Sequence, residues 1–353
     1  MTKTSFASLG VLSCLLFPQG SAIRSAAQDD PLHLRVNVVL VQLNVAVTDA
    51  KGNYVTGLKP EDFAVVEDKI PQKISTFEES SEAGRGVMET ARRGENGSPG
   101  ADPPGGITIS HMGEANVFIL FDTSNYMYRS FVYAQDAIAD FIRSMDNASR
   151  LAFYSYSRNL SRMTTLTSDQ YRVVNGVRST VAGDDAALYN SLLLTVKDAV
   201  PLRGRKAIVV FSNGPDNASS VPPEDVAELA QSTGTIIYII STREAQEDPL
   251  SAAAFERVSK ASGGKAYFAK NWKQEKQAFA SIREDLVHLY TLSYYPQPNP
   301  NRGWRSIKVK LVSKDLQKYH IRTRDGYRLL PATANSAAEE SSAPRPASDP
   351  NPK

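Results

Sequence analysis

The sequence predicts a doubly wound α/β domain with a mostly parallel sheet, together with a β-sandwich built from N- and C-terminal strands. Three observations support this prediction. Residues 115–290 alternate apolar strand patterns with helical patterns, a pattern typical of doubly wound α/β domains. Residues 31–79 and 291–330 show strand patterns only. Because neither flanking block is large enough to bury a stable core alone, we expect the two to pack together.

The first 27 residues are typical of an export signal. Lys3 supplies a positive start, residues 6–17 form a short apolar core, and small residues at 25–27 offer a cleavage site. An apolar segment of this length is too short to span a bilayer. We therefore predict export to the periplasm or the extracellular space, with no transmembrane segment after the signal is removed.

The only cysteine, Cys14, lies inside this signal. One interpretation is that it is simply an apolar residue of the signal, so that the mature protein has no thiol and no disulfide. The alternative is a lipoprotein anchored at Cys14, because residues 11–14 resemble a lipobox. An apolar run continues after Cys14, which favours the first interpretation.

Two stretches have the composition of disordered chain. Residues 80–114 and 331–353 are rich in small, charged and Pro residues and contain hardly any large apolar side chain. Such segments cannot bury enough apolar surface to fold. We predict a disordered linker in the first stretch and a disordered tail in the second.

The N-terminal block, residues 31–79, predicts a small β unit. Residues 41–48 alternate apolar side chains with polar or small ones, which is the two-residue period of a strand with one buried face. Residues 62–67 and 72–77 predict a further pair of strands about a turn that contains Pro71.

The central block, residues 115–290, predicts the α/β domain. Several of its strand patterns are continuous apolar runs, as expected for parallel strands that helices cover on both faces. The strand patterns fall at 116–122, 150–156, 206–212, 235–241 and 265–269. The helical patterns fall at 130–145, 168–181, 186–200, 223–232, 249–262 and 273–290.

The C-terminal block, residues 291–330, predicts further strands for the sandwich. Residues 307–311 alternate apolar and basic side chains, and residues 319–327 carry more basic side chains. One interpretation is a basic face that binds an anionic partner. We favour solvated strand faces, whose charges prevent edge-to-edge pairing.

Polar residues follow the apolar strands of the central block. The first strand ends in Asp122, Thr123 and Ser124, and a later strand is followed by Asn213. In an open α/β sheet, ligands bind beyond the carboxyl ends of the strands. Carboxylate, hydroxyl and amide oxygens placed there suit a hard cation.

These segments resemble the von Willebrand factor type A family. Residues 122–124 follow the first strand as in the family's D-x-S-x-S motif, and residues 187–190 resemble its T-A-L-Y-D segment. Residues 204–217 are similar to its G-R-K-A-(apolar)-D-G-x-D-N stretch. Residues 57–68 and 302–327 resemble the flanking parts of an exported bacterial, acidobacterial-like subfamily. The resemblance implies a type A domain over the central block.

The resemblance also implies a metal site whose oxygen ligands are an Asp, two Ser, a Thr and a further Asp. Asp122 and Ser124 match this pattern, but Tyr126 stands in place of the second serine. Ala186 replaces the threonine and Asn213 replaces the second aspartate. The site is therefore degenerate, with Asp122, Ser124 and Asn213 as the remaining ligands, and we expect no obligatory metal cofactor.

Nearby acidic residues leave an alternative open. Asp184, Asp185 and Asp216 lie in the same predicted loops and offer carboxylates that would compensate for the missing ligands. They are also typical of turns and helix caps. The alternative prediction is a Mg²⁺-dependent adhesion protein with a functional, non-standard site.

The resemblance implies a binding or scaffold protein, and we expect a protein partner at the surface formed by these loops. Tyr126, Tyr128 and Tyr189 lie near that surface, and tyrosine is enriched at binding hot spots. The alternative role for these tyrosines is packing beneath the loops.

Composition and motifs argue against other functional classes. A formal net charge of +2 gives no case for a nucleic-acid partner. The sequence contains no G-x-S-x-G, H-E-x-x-H, P-loop or G-x-G-x-x-G motif. Its histidines, His33, His111, His288 and His320, lie far apart, and none has a sequence context that marks it as a base. We therefore expect the protein not to be an enzyme.

Overall fold

The structure, a computed structural model, describes residues 40–80, 115–128, 130–145, 149–242 and 248–329. The predicted export signal with the only cysteine, nearly all of the predicted linker, and the predicted tail lie outside these residues. The domain boundaries that depend on them therefore stay predictions.

The strands and helices follow one another in three groups along the chain. The N-terminal strands are β1 (Val41–Thr48), β2 (Phe63–Glu67), β3 (Ile70–Gln72) and β4 (Ile74–Glu79). The central elements are β5 (Ala115–Asp122), α1 (Phe131–Ser144), β6 (Arg150–Tyr156), β7 (Leu160–Thr167), α2 (Gln170–Arg178), α3 (Leu188–Ala199), β8 (Arg205–Ser212), α4 (Pro223–Thr233), β9 (Thr235–Ser241), α5 (Pro249–Ser262), β10 (Ala266–Phe268) and α6 (Trp272–Val287). The C-terminal strands are β11 (Tyr290–Tyr294), β12 (Trp304–Leu311), β13 (His320–Arg322) and β14 (Gly326–Arg328).

The central sheet has the strand order β10-β9-β8-β5-β6-β7. All neighbouring pairs are parallel except β6 and β7. Side chains alternate along β5, so Val117, Ile119 and Phe121 pack against α1, α2 and α6. Phe118 and Leu120 point the other way and pack against α3, α4 and α5. Helices thus cover both faces of the sheet, and the predicted doubly wound α/β fold is confirmed.

Strand β7 is the central element that the sequence pattern missed. It pairs with β6 in the antiparallel direction at the edge of the sheet, with irregularities in the register. Its sequence, LSRMTTLT, is mostly polar, and Thr164 is its one fully buried position. An edge strand that buries so little has no strong apolar period, so its pairing with β6 decides its conformation.

The last predicted helix is too long at its end. Helix α6 ends at Val287, and β11 begins at Tyr290. Tyr290 pairs with Val45 of β1 on one side and with Glu79 of β4 on the other. Because Tyr290 forms ladder hydrogen bonds with both neighbouring strands, the helix ends earlier than its apolar pattern predicts.

Two antiparallel sheets form the β-sandwich. One has the order β13-β1-β11-β4 and the other the order β14-β12-β2-β3, so each contains strands from both ends of the chain. The sheets share one apolar core, whose fully buried members include Leu43, Val45, Tyr290, Leu292 and Tyr294. The predicted combination of N- and C-terminal strands in one sandwich is confirmed.

The predicted pairing about Pro71 is wrong. Strand β2 pairs with β3, and the turn between them is formed by Asp68 and Lys69, which both have positive φ. Pro71 lies inside β3 opposite Val66. Since β3 is at the edge of its sheet, the missing N–H of Pro71 leaves no ladder bond unmade. The next strand, β4, pairs with β11 instead.

One buried ion pair joins strands from both ends of the chain inside the sandwich. Glu67 of β2 is fully buried and accepts a hydrogen bond from Arg305 Nη1 of β12 at 3.0 Å. Its second oxygen accepts from the hydroxyls of Tyr294 at 2.9 Å and Tyr327 at 3.0 Å. Burial and the charge of Glu67 raise the pKa of Tyr327 to about 12, so its hydroxyl stays a donor.

Buried arginines connect the sandwich to the α/β domain. Arg324, between β13 and β14, donates to the carbonyl of Gln42 in β1 at 2.8 Å and to the carbonyl of Gln231 in α4. Burial lowers the pKa of Arg324 to about 10, which leaves it charged at neutral pH. Arg205, at the start of β8, donates to Ser80 Oγ just beyond β4. These bonds fix the sandwich against the sheet and its helices.

We predict that Glu67→Ala lowers the free energy of unfolding by about 3–5 kcal/mol, because Arg305 would remain buried without its partner. Urea unfolding followed by circular dichroism measures the loss. The matched control is Glu224→Ala, which removes an exposed ion pair with Arg257 and should change the free energy by less than about 1 kcal/mol. Equal losses in the two variants would contradict this role for Glu67.

Candidate functional site

The predicted ligand residues lie at the carboxyl ends of two neighbouring strands. Strands β5 and β8 run side by side, with Phe121 opposite Phe211. Asp122 is the last residue of β5, and Asn213 follows the last residue of β8. Asp122 and Ser124 are fully buried, and Asn213 is 3% exposed. The fold therefore brings together the three residues that the sequence singled out.

The carboxylate of Asp122 is occupied by hydrogen bonds from the protein. Oδ1 accepts from the backbone N–H of Ser124 at 2.9 Å, and Oδ2 accepts from Ser212 Oγ at 2.8 Å. The hydroxyl of Tyr156 donates to Ser212 Oγ at 3.0 Å. Burial raises the pKa of Asp122, and the hydrogen bonds from Ser124 and Ser212 oppose that rise. The carboxylate thus joins the ends of β5, β8 and β6.

Sequence reasoning missed Ser212 and Tyr156. Each is the last residue of its strand, on either side of the strand that carries Asp122. The available signal is a polar residue at the end of an apolar run, the same signal that singles out Asp122, Ser124 and Asn213. The order of the strands in the sheet is needed before these three side chains can be placed together.

Two buried oxygens at the site have no partner with hydrogen-bond geometry among the described residues, Ser124 Oγ and Asn213 Oδ1. The amide nitrogen of Asn213 donates to the backbone carbonyl of Tyr126. Buried oxygens without a donor are uncommon in folded proteins, and an unseen water or ion is a usual explanation. The two atoms are the observation that favours a bound species at this edge.

The acidic residues that offer compensating carboxylates are mostly engaged in contacts within the loops themselves. Asp216 accepts from the backbone N–H groups of Tyr189 at 2.9 Å and Ser219 at 2.8 Å. Asp185 forms an ion pair with Arg158 at 2.6 Å. Asp184 is exposed, and its backbone carbonyl accepts from Asn125 N. These contacts are typical of residues that hold loops and cap helices.

The residues present fit a magnesium ion poorly. Mg²⁺ demands octahedral oxygen coordination and gives up its water reluctantly, so negative ligands are needed. Asp122 is the one carboxylate among the three remaining ligands, and Ser124 and Ser212 already bind it. Ala186 is fully buried and has no ligand atom. No group of three or more His, Cys, Asp or Glu residues suited to a metal occurs within the described ranges.

The three tyrosines singled out by the sequence differ in exposure. Tyr126 is 41% exposed and Tyr128 is 56% exposed, on the loop that follows β5. Tyr189 is partly buried against the core beneath α3, and its pKa is raised to about 12, mainly by burial. We define the carboxyl face as the surface around the ends of β5 and β8 that includes Tyr126 and Tyr128.

Further apolar side chains extend the carboxyl face. Val132 and Tyr133, in the first turn of α1, are 62% and 66% exposed, and Val181 is 81% exposed. Val181 lies two residues before Gly183, whose carbonyl accepts from the hydroxyl of Tyr128. Clusters of exposed apolar residues commonly mark interaction sites.

Restoring the missing ligands should create a metal site. We predict that a variant with Tyr126→Ser, Ala186→Thr and Asn213→Asp binds Mg²⁺, whereas the native chain does not. The variant regains two hydroxyls and a second negative charge, which this cation requires. Isothermal titration calorimetry with MgCl₂ measures the difference.

The control adds Asp122→Asn to the triple variant, which should abolish the new binding. Circular dichroism verifies that each variant is folded. Equal affinity of the native chain and the triple variant for Mg²⁺ would contradict the claim that the lost ligands disable the site.

Comparisons with known proteins identify the domain around this site. Residues 116–281 match the family model described as the von Willebrand factor type A domain. No curated protein matches the sequence.

Solved structures with a similar fold come from several bacteria. One is a von Willebrand factor type A protein from Catenulispora acidiphila, with 9% identity, coverage of 63% of this chain and 68% of that chain, and a TM-score of 0.43. Another is the vWF domain of the type V pili tip protein Mfa5 from Porphyromonas gingivalis, with 12% identity, coverage of 48% and 94%, and a TM-score of 0.42. A third is an aerotolerance-related membrane protein from Bacteroides fragilis, with 16% identity, coverage of 49% and 98%, and a TM-score of 0.42.

The strand order, the loops at the carboxyl ends of β5 and β8, and the family match all concern the same part of the chain. Residues 116–281 are therefore similar to the von Willebrand factor type A domain.

Proposed function

We propose that this chain is an exported, non-enzymatic protein-binding or scaffold protein whose type A domain binds a protein partner without an obligatory metal. The observation that carries the proposal is the hydrogen bonding of the Asp122 carboxylate. Its two oxygens already accept hydrogen bonds from Ser124 N and Ser212 Oγ, so the site is closed by the protein itself. Ala186 and Asn213 stand in place of a hydroxyl ligand and a carboxylate ligand. The exposed side chains, rather than a bound metal, therefore contact the protein partner.

The carboxyl face has the composition of a protein-binding surface. Tyr126, Tyr128 and Tyr133 expose aromatic rings, and Val132 and Val181 add aliphatic surface beside them. Tyrosine offers a large apolar ring with a polar tip at a small loss of side-chain entropy, which is why it is common at binding hot spots. The half-buried Tyr189 instead packs against the core that α3, α4 and α5 form with the sheet.

A second candidate function is a Mg²⁺-dependent adhesion protein with a non-standard site. The unpartnered Ser124 Oγ and Asn213 Oδ1 are the observation that favours it. A cation there would receive one hydroxyl, one amide oxygen and at most one carboxylate. That set carries too little negative charge to offset the dehydration of Mg²⁺, so we favour the metal-independent function.

Among the described residues, the carboxyl face holds no histidine that would serve as a base. Ser124 lies beside Asp122, but a serine nucleophile requires a base that takes its proton. Of the histidines in the described part of the chain, His288 follows the end of α6 and His320 begins β13. Both positions lie towards the sandwich, at the end of the α/β domain opposite the ends of β5 and β8.

Export rests on the first 27 residues, which have a positive start, a short apolar core and a small-residue cleavage site. Among the described residues, no helix combines the length and the apolarity that crossing a bilayer requires. A lipid anchor at Cys14 is the alternative, and mass spectrometry of the mature N-terminus separates the two. We also propose that the chain belongs to the exported bacterial, acidobacterial-like subfamily of type A proteins.

The test is crosslinking of the carboxyl face in cells that make the protein natively, followed by affinity measurement with the captured partner. We predict that Tyr126→Ala combined with Tyr128→Ala weakens binding about tenfold or more, as expected for hot-spot tyrosines. Binding of the native chain should be the same in MgCl₂ and in EDTA.

The matched control is Tyr171→Ala. Tyr171 is 75% exposed but lies in the first turn of α2, beside the amino ends of the parallel strands. It should leave the affinity unchanged. Loss of the partner in EDTA would support the Mg²⁺-dependent alternative, and equal affinity of the double variant and the native chain would contradict a carboxyl-face binding site.

A further inference from the structure

A cleft of about 720 Å³ lies between the sandwich and the edge of the type A domain formed by β10 and α6. We call it the interdomain cleft and define it by Tyr54, Lys265, Tyr267, His288, His320 and Arg322. Its volume falls within the range of small-molecule sites in proteins. The type A domain alone does not form it, because Tyr54, His320 and Arg322 belong to the sandwich.

The floor of the interdomain cleft is a carboxylate whose two oxygens both accept hydrogen bonds from protein side chains. Asp285 of α6 is fully buried and accepts from the hydroxyls of Tyr54 at 2.8 Å and Tyr238 at 2.6 Å. The guanidinium of Arg322 binds both of its oxygens. The negative charge of Asp285 is therefore balanced within the protein, and it does not repel an anion in the cleft above it.

The walls of the interdomain cleft offer flat aromatic surface. The rings of Tyr54 and His288 are stacked, with centroids 5.0 Å apart and planes inclined by 12°. The imidazole of His288 is held by a 2.7 Å contact between Nδ1 and the carbonyl of Glu284. On the other wall, Lys265 Nζ lies 5.0 Å from the centre of the Tyr267 ring. Rings held in place in this way suit a planar ligand.

The charges at the mouth of the interdomain cleft favour an anion. Within the described ranges, Lys265 has no carboxylate at ion-pair distance. The one acidic residue on the wall, Glu284, is paired with Arg283 at 2.8 Å. The guanidinium of Arg322 is 30% exposed and offers hydrogen-bond donors, although its charge is paired with that of Asp285. The balance of unpaired charge is therefore positive.

We propose that the interdomain cleft binds a small carboxylate with a planar ring. The ring would lie against Tyr54 and His288, and the carboxylate would face Lys265 and the exposed part of Arg322. A charged hydrogen bond to a carboxylate is stronger than one between neutral groups, so the acid is preferred over its amide. This site is independent of the protein-binding function proposed for the carboxyl face.

The test uses benzoate as the probe and the imidazole resonances of the full mature chain as the signal. Titration of benzoate, followed by two-dimensional NMR, should shift the resonances of His288 and His320 with a saturable curve. Substitutions His288→Gln and His320→Gln assign the two signals.

Matched variants test whether the positive charge of Lys265 contributes to benzoate binding. Lys265→Gln should weaken benzoate binding about threefold, as for a partly exposed charge pair, whereas Lys273→Gln on α6 should leave it unchanged. Neutral benzamide should bind more weakly than benzoate. The absence of a saturable shift, equal affinity for benzoate and benzamide, an unchanged affinity in Lys265→Gln, or inorganic phosphate binding as tightly as benzoate would each overturn the proposal.

Discussion

The buried carboxylate of Asp122 is the constraint on which the candidate site depends. A charge removed from water at the end of a central strand has to be satisfied by a cation or by hydrogen-bond donors. Here the donors are Ser124 N and Ser212 Oγ, with Tyr156 behind the serine. The side chain that would help to hold a metal instead holds three strand ends together. Under the proposed function, these hydrogen bonds hold the loop region in shape without an ion.

The same solution recurs at two other buried acids in the described part of the chain. Glu67 joins the two sheets of the sandwich through Arg305, Tyr294 and Tyr327. Asp285 joins α6 to the sandwich through Arg322 and Tyr54. Buried charges are tolerated only when paired and hydrogen-bonded, so each of these acids defines how its neighbours are placed. The carboxyl face and the interdomain cleft are two separate surfaces that this framework leaves exposed.

Much of the fold could be predicted from periodicity, because the central strands are buried on both faces and their helices carry clear apolar stripes. Strand β7 could not, since Thr164 is its only fully buried residue. The end of α6 was misplaced because pairing of Tyr290 with β1 and β4 is a long-range effect. Asp122, Ser124 and Asn213 follow strand ends and could be named from sequence. The interdomain cleft could not, since Tyr54 and Asp285 are 231 residues apart in the chain.

The measurement that most directly tests this account is a crystal structure of the mature chain grown in manganese, with anomalous diffraction recorded at the metal's absorption edge. Manganese prefers the same oxygen ligands as magnesium and reports its own position. The account predicts no anomalous peak near Asp122, with the contact between its carboxylate and Ser212 Oγ intact. A strong peak coordinated by Ser124 Oγ and Asn213 Oδ1 would contradict it.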